Sequence, residues 1–455
     1  MSPGNTGVRK FQVSVNNNVP VIHVLEEDSY EHRDKITSTS AVPQLDTPMA
    51  EHEDGPPLKG AKLDEEGLGS VVASHYNNLE EKGLKERSTS RIFHLRNSNN
   101  WIKSYLINYC LDQVRERQVD HYPVSVFDLG CGKGGDLLKW SKGNIRHLVC
   151  ADIAQTSMDQ CRERYTNTRK RTGGGHGGGF TAEFIVADCT KKRIKPMLEN
   201  PSRQVDLVSC QFAFHYCFES LAQAETMLRN VSENLKRGGY FMATIPNAYE
   251  IMSRLKSSGS HRFGNEVYTV EFPEDRPEDP PIFGDRYNFF LEGVVDCPEF
   301  LVHPPTLIKL AKKWDLELEW KRDFSTVYSD ALKDTLCQRL LSVMNVLETY
   351  PSKEEQVTET EVEYTHARQF LESREGVTAI RTLTSSEWEA LCIYQAWVFR
   401  KSSNKRGQEE LKKAKKMEEI SRIGCEAVHK AMIVESTTKS LNAPTCPNFA
   451  THVED

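Results

Sequence analysis

Five short apolar runs constrain the fold of this chain most: VSVFDL (124–129), HLVCADI (147–153), EFIVAD (183–188), VDLVSCQF (205–212) and YFMATI (240–245). None alternates cleanly between apolar and polar residues, and helical patterns over 135–142, 155–170 and 219–236 separate them. Runs of this kind fit strands buried on both faces, and strands joined through helices pair in parallel by right-handed crossovers. The expected fold class is therefore α/β, doubly wound. Upstream, NNWIKSYLINYCLDQVRER (99–117) carries Ile102, Leu106, Tyr109, Cys110 and Val114 at helical spacing, with Asn at the expected cap. Downstream, YNFFLEGVVD (287–296) and CIYQAWVFRK (392–401) read as strands and LIKLAKKW (307–314) as a helix. GGGHGGG (173–179) reads as a flexible connector, EFPEDRPEDPPIFGD (271–285) as a loop, and the polar 330–380 region as decoration on the sheet.

Charge and composition bound the rest. Acids outnumber bases by seven in residues 1–86, which equals the net charge of −7 of the whole chain. That segment is poor in aromatics and shows no sustained apolar period, so it reads as a disordered acidic and polar arm. Residues 87–401 form the expected catalytic domain, and 402–455 a charged tail, partly helical or disordered. No broad basic field points to general duplex binding, although a local cluster of Lys and Arg holding a few phosphates stays open. The 12 cysteines show no C-x-x-C pair or Cys/His ligand spacing, so no metal site is signalled and reduced thiols are expected. No apolar run approaches the ~20 residues of a membrane span, and the chain is expected to be soluble and intracellular. KKAKK (412–416) fits a nuclear address and a solvated helix face alike.

Chemistry concentrates in VFDLGCGKGGDLLKW (126–140). Gly130, Gly132 and Gly135 satisfy G-x-G-x-x-G, with Asp152 where a ribose-binding acid would stand, so a dinucleotide, S-adenosylmethionine and a plain structural turn are all candidate readings. Asp128 favours the second. At the end of the strand beneath the turn it would oppose a pyrophosphate with like charge, whereas S-adenosylmethionine presents an amino group and a sulfonium. In that reading Gly130 and Gly132 let the backbone approach the methionine portion, Asp152 takes both ribose hydroxyls, and Asp188 lies near the adenine.

Together with RIFHLRNSNNWIK (91–103), CQFAFHY (210–216), TIPN (244–247) and CPEFLV (297–302), the turn resembles the eukaryotic mRNA cap guanine-N7 methyltransferases from about residue 88 to about 400. The resemblance implies a class I S-adenosylmethionine-dependent, Rossmann-like fold with a seven-stranded, mostly parallel sheet flanked by helices. It implies methyl transfer to N7 of the guanosine cap of nascent mRNA in the nucleus, a small RNA-binding activating subunit, and contact with the transcription and capping machinery. Lys103, Gln211 and Tyr216 then join Asp128, Gly130, Gly132, Asp152 and Asp188 at the cofactor. Asn99, Asn100, Lys133, Lys139 and Arg164 fall on the substrate side, where the three cations would hold the cap triphosphate. His215, Pro246, Glu299 and Tyr394 surround the guanine, with Glu299 accepting from its N1 and N2 edge. Ser98 stands where the family usually has an aromatic, which removes a flat face unless Phe93 substitutes for it. Guanine N7 carries a free lone pair at neutral pH, so direct displacement is expected with no residue acting as general acid or base. A methyltransferase acting on another small molecule or on protein is the alternative.

Overall fold

The computed structural model describes residues 10–16, 19–25, 68–78, 89–117, 122–171, 179–351 and 362–403. Along the chain run β1 (Lys10–Asn16), β2 (Val19–Leu25), α1 (Gly69–Asn78), α2 (Phe93–Glu116), β3 (Ser125–Leu129), α3 (Leu137–Lys142), β4 (His147–Asp152), α4 (Gln155–Arg171), β5 (Thr181–Val186), β6 (Val205–Gln211), α5 (Leu221–Asn234) and β7 (Leu235–Pro246). There follow α6 (Ala248–Ser258), β8 (Arg262–Gly264), β9 (Tyr268–Glu271), β10 (Arg286–Leu291), β11 (Val295–Phe300), α7 (Pro304–Lys313), β12 (Leu316–Asp323), α8 (Phe324–Ala331), α9 (Thr335–Val343), β13 (Glu348–Tyr350), α10 (Thr365–Glu372), β14 (Ile380–Thr382), α11 (Ser385–Leu391) and β15 (Tyr394–Lys401).

The central sheet has seven strands in the order β12-β15-β7-β6-β3-β4-β5. All pairs from β7 to β5 are parallel, and β15 runs antiparallel to both neighbours. This is the doubly wound α/β architecture of class I methyltransferases. Why the strands lack alternation is visible in their packing. Val126, Leu148, Leu207 and Met242 enter one apolar cluster with α2, while Phe127, Val149, Val208 and Phe241 enter another with α5 and α7. Successive side chains point to opposite faces, and both faces are covered.

Helix α2 starts at Phe93, so Asn99 lies inside it rather than at its cap as the sequence suggested. No local side chain caps its start; the amide of Leu95 donates to Glu387 Oε1 at 2.9 Å, from α11 nearly 300 residues away. Tertiary packing, not a local signal, sets that boundary. The run at 287–296 is likewise not one strand. It holds all of β10 but its first residue, a turn with Gly293 at φ 60°, and the start of β11. The hairpin pairs Tyr287 with Glu299 directly across it, within a second, antiparallel sheet ordered β11-β10-β9-β8.

The expectation of disorder over 1–86 fails for β1, β2 and α1. β1 and β2 form an antiparallel hairpin whose second strand pairs with β14, giving a third sheet ordered β1-β2-β14-β13. Val21 is buried with Ala367, Phe370 and Ile380, a core assembled from chain segments far apart in sequence. The 330–380 region thus contributes to a sheet of its own as well as helices. The GGGHGGG connector up to Gly178, the KKAKK run and the tail from Asn404 lie outside the described residues.

Candidate active site

The glycine turn leaves the C-terminal edge of β3, where an open parallel sheet offers a crevice. Gly130 (φ 67°) and Gly132 (φ 51°) take left-handed backbone, and a Cβ on Gly130 would stand 2.6 Å from the Cβ of Ala213. The amide of Gly132 donates to Asp152 Oδ2 at 2.8 Å and that of Ala154 to Oδ1 at 2.9 Å. Asp152 therefore fixes the turn with one lone pair on each oxygen and keeps others for a ligand. Burial pushes its carboxyl upward, and the backbone donors oppose that shift.

Gly130, Gly132, Asp152, Asp188 and Tyr216 all border one cavity over the sheet edge. Its apolar walls come from Leu68, Val72, Ile153, Met227 and Phe300, which suits a flat heterocycle. Asp188 holds its loop by accepting from the Thr190 amide (2.9 Å) and hydroxyl (2.7 Å) through Oδ1. Gln211 is 8% exposed, and its Oε1 has no hydrogen-bond partner among the described residues, while its Nε2 donates to Ser209. Gln211 does not border the cavity, whose two carboxylates and glycine cradle fit a nucleoside carrying hydroxyl and amino donors.

Asp128 lies beneath the turn, at the end of its strand as expected; it does not border the cavity, and its Oδ2 accepts from the Trp140 indole at 3.1 Å. Burial, then the neighbouring Asp136, pushes its carboxyl well above the usual range. Lys103 and Lys139 are likewise engaged below the cavity. The Oδ1 of Asp136 forms ion pairs with both, at 2.9 Å and 2.8 Å, Lys103 donates to its Oδ2 at 3.1 Å, and Lys139 donates to Asn100 Oδ1 at 3.0 Å. Burial favours the neutral acid in Asp136, but the two lysines overcome it and hold the carboxyl low. Lys139, expected at a triphosphate, thus stands in a buried network with Lys103, expected at the cofactor. Lys133 and Arg164 are half-buried and do not border the cavity. The Oδ1 of Asn99 is buried without a partner among the described residues.

A second group of side chains lies beyond Tyr216, whose hydroxyl is 3.3 Å from both Tyr76 Oη on α1 and Cys297 Sγ on β11. Glu299 is 3% exposed; it accepts from Tyr287 at 2.8 Å, and its Oε1 lies 3.1 Å from His215 Nε2. Neither ring nitrogen of His215 has a hydrogen-bond partner among the described residues. Burial, then the charge of Glu299, holds the phenols of Tyr287 and Tyr394 well above their ordinary range, so both stay protonated. Tyr394 pairs with Pro246 across β15 and β7 and packs edge-on against Phe212 at 4.9 Å. Phe212 adopts φ 58°, strained for an aromatic residue, and its amide is held by Thr244 Oγ1 at 2.8 Å.

Sequence reasoning passed over Tyr76, Phe212, Tyr287 and Asp136. Asp136 stood inside the quoted turn, and Phe212 ended a quoted strand; Tyr287 becomes legible only through the hairpin register, and Tyr76 only through the packing of α1. Ser98 is fully buried and donates to the Val346 carbonyl at 3.3 Å. Neither Ser98 nor Phe93 borders the cavity, so an aromatic at 98 would point into the packing of α2.

A sequence profile described as the mRNA (guanine-N(7))-methyltransferase domain matches residues 60–402. A Drosophila melanogaster protein named mRNA cap guanine-N(7) methyltransferase is 48% identical over 338 residues, covering 73% of this chain and 77% of its own length. Proteins of the same name are 40% identical in Caenorhabditis elegans (74% and 87% covered) and 37% identical in Schizosaccharomyces pombe (61% and 75% covered). The profile begins ahead of α1, so the helix that walls the cavity falls inside the matched region.

Proposed function

Since the chain belongs to the mRNA (guanine-N7)-methyltransferase family, and so methylates N7 of the mRNA guanosine cap with S-adenosylmethionine, we propose how its own residues divide that work. The observation that carries the reading is Glu299, a buried carboxylate held between Tyr287 and His215, one ring of Tyr216 away from the cavity of Asp152. A buried carboxylate beside the cofactor cavity suits a second substrate that must meet the first.

On the cofactor side, Asp152 accepts the ribose hydroxyls, Asp188 faces the adenine, Gly130, Gly132 and Tyr216 line the path of the methionine portion, and Gln211 supports that path from behind the lining. Asp128 and Lys103 act through the network beneath the turn rather than by direct contact. Bound S-adenosylmethionine supplies an electrophilic methyl carbon on a sulfonium. On the substrate side, Glu299 accepts from the N1 and N2 donors of guanine, while His215 and Asn99 offer unsatisfied polar atoms. Tyr394, Pro246 and Phe212 confine the ring plane. Lys133 and Arg164 meet the triphosphate, and Lys139 and Asn100 brace that side through Asp136.

Because N7 is nucleophilic as it stands, these side chains orient and stabilise without moving a proton. The guanine becomes cationic as it is methylated, so the carboxylate of Glu299 holds it more tightly along the reaction, and that differential contact lowers the barrier. The reading carries the nucleus as working compartment and a small RNA-binding activating subunit as partner. Incubating the protein with labelled donor and GpppG-capped RNA, then digesting to nucleotides, should give labelled 7-methylguanosine. Label in any other nucleotide position would overturn the reading.

A further inference from the structure

The thiols of Cys131, Cys150 and Cys161 all lie within 4.8 Å of one another. They come from three elements: the glycine turn, β4 and α4. Cys150 and Cys161 are 1% and 0% exposed, and Cys131 is half-buried at the surface end of the group. Single buried cysteines serve as small apolar residues. Three that converge beneath a ligand-binding turn form a donor set. At metal–sulfur bonds of about 2.3 Å, three sulfurs around one ion stand about 4 Å apart. A disulfide would need two of them at about 2.05 Å. The observed spacing is therefore much closer to shared coordination than to a bond.

We propose that Cys131, Cys150 and Cys161 bind one Cu(I)-like, three-coordinate thiophilic ion directly under the cofactor turn. Zinc prefers four ligands, and among the described residues no fourth His, Cys, Asp or Glu joins the three. Soft monovalent copper takes thiolate readily. As the ion enters, the three S–H bonds break, three sulfur–metal bonds form and three protons pass to solvent; no oxidation state changes.

The position couples the ion to the turn. Cys131 lies between Gly130 and Gly132, which border the cofactor cavity, and its amide donates to Ala151 on β4 at 3.3 Å. The Cβ position of Gly134 is 2.8 Å from Cys161 Sγ. An ion that ties Cys131 to β4 and α4 holds the turn in its binding shape, so the loaded protein should bind the nucleoside more tightly.

The test uses the full-length reduced protein and Cu(I) supplied as its bicinchoninate complex, with that chelator in excess. One equivalent of copper should transfer, its X-ray absorption should show three sulfur neighbours, and added Zn2+ should not displace it. Cys150→Ala and Cys161→Ser should each lose the equivalent, and Cys110→Ser, on α2, should keep it. No transfer beyond that seen with the Cys150→Ala/Cys161→Ser double variant, a two-sulfur site, or displacement by Zn2+ would overturn the proposal. Alkylation of the wild-type protein guards against misfolded variants. Copper should protect Cys131 from iodoacetamide at least fivefold, and equal labelling with and without copper would also overturn it. Calorimetry should give an S-adenosylhomocysteine dissociation constant at least threefold lower in the loaded wild type; identical constants would refute the coupling.

Discussion

Replacing Glu299 by glutamine keeps the shape of the side chain and removes its charge. The carboxylate is 3% exposed and is anchored by Tyr287 at 2.8 Å, so the amide should occupy the same place. Two effects are lost. Hydrogen bonds from guanine to a charged acceptor exceed those to a neutral one by about 1 kcal/mol. The attraction between the carboxylate and a cationic base about 6 Å away, at an effective dielectric of about 20, is about 3 kcal/mol, of which about half is expressed when charge transfer is half complete. The sum, about 2.5 kcal/mol, corresponds to a fall of about 70-fold in kcat/KM. Methyl transfer to capped RNA at varied cap concentration measures it, and calorimetry with S-adenosylhomocysteine supplies the control. The charge term acts on the transition state, so kcat should fall along with the specificity constant. Unchanged kcat with raised KM would refute the electrostatic account, and a parallel loss of S-adenosylhomocysteine affinity would refute the placement of Glu299 on the guanine side.

Asp152→Asn should weaken S-adenosylhomocysteine at least tenfold in calorimetry, since the amide replaces a charged acceptor that also receives Gly132; wild-type affinity would remove Asp152 from the cofactor site. Gly130→Ala, with φ 67° and a contact of 2.6 Å to Ala213, should cost about 1–3 kcal/mol in denaturant unfolding and impair cofactor binding, and an unchanged midpoint would contradict the turn geometry. Burial holds the Glu387 carboxyl up at about 7 from its ordinary 4.5. The folded state thus binds the extra proton, and the associated stability is present below pH 4.5 and lost as pH rises through 7, a fall of up to about 3 kcal/mol. Glu387→Gln should flatten this part of the stability profile, and parallel falls in both proteins would exclude Glu387 as its source.

The central sheet was legible because burial on both faces leaves a local trace. Runs such as VSVFDL stay apolar throughout, and helices between them dictate parallel pairing. Glycines and acids around 126–152 were equally legible, since a close backbone approach restricts residue type at the place where it occurs. What the sequence concealed depends on distant partners. β2 is placed beside β14, where Ile22 aligns with Arg381. The start of α2 relies on Glu387 from the other end of the domain. Asp128 and Lys139 were read as ligand contacts because their charge was visible, whereas the Trp140 and Asp136 that engage them required the folded arrangement. The three thiols escaped notice for the same reason: each belongs to a different element, and no spacing rule spans them.

The hairpin formed by residues 10–25 has a bearing on how fragments of this chain would behave. It occupies the flank of β14, and Thr382 donates from that strand to the Pro20 carbonyl at 3.0 Å. A fragment beginning after Leu25 would bare an edge of unpaired amides and carbonyls, together with the apolar surface of Ala367, Phe370 and Ile380 that Val21 now covers. Trimming to the profile-matched region would exchange the free edge of β1 for that of β14 and add an exposed apolar patch, so the shorter fragment is expected to self-associate more readily.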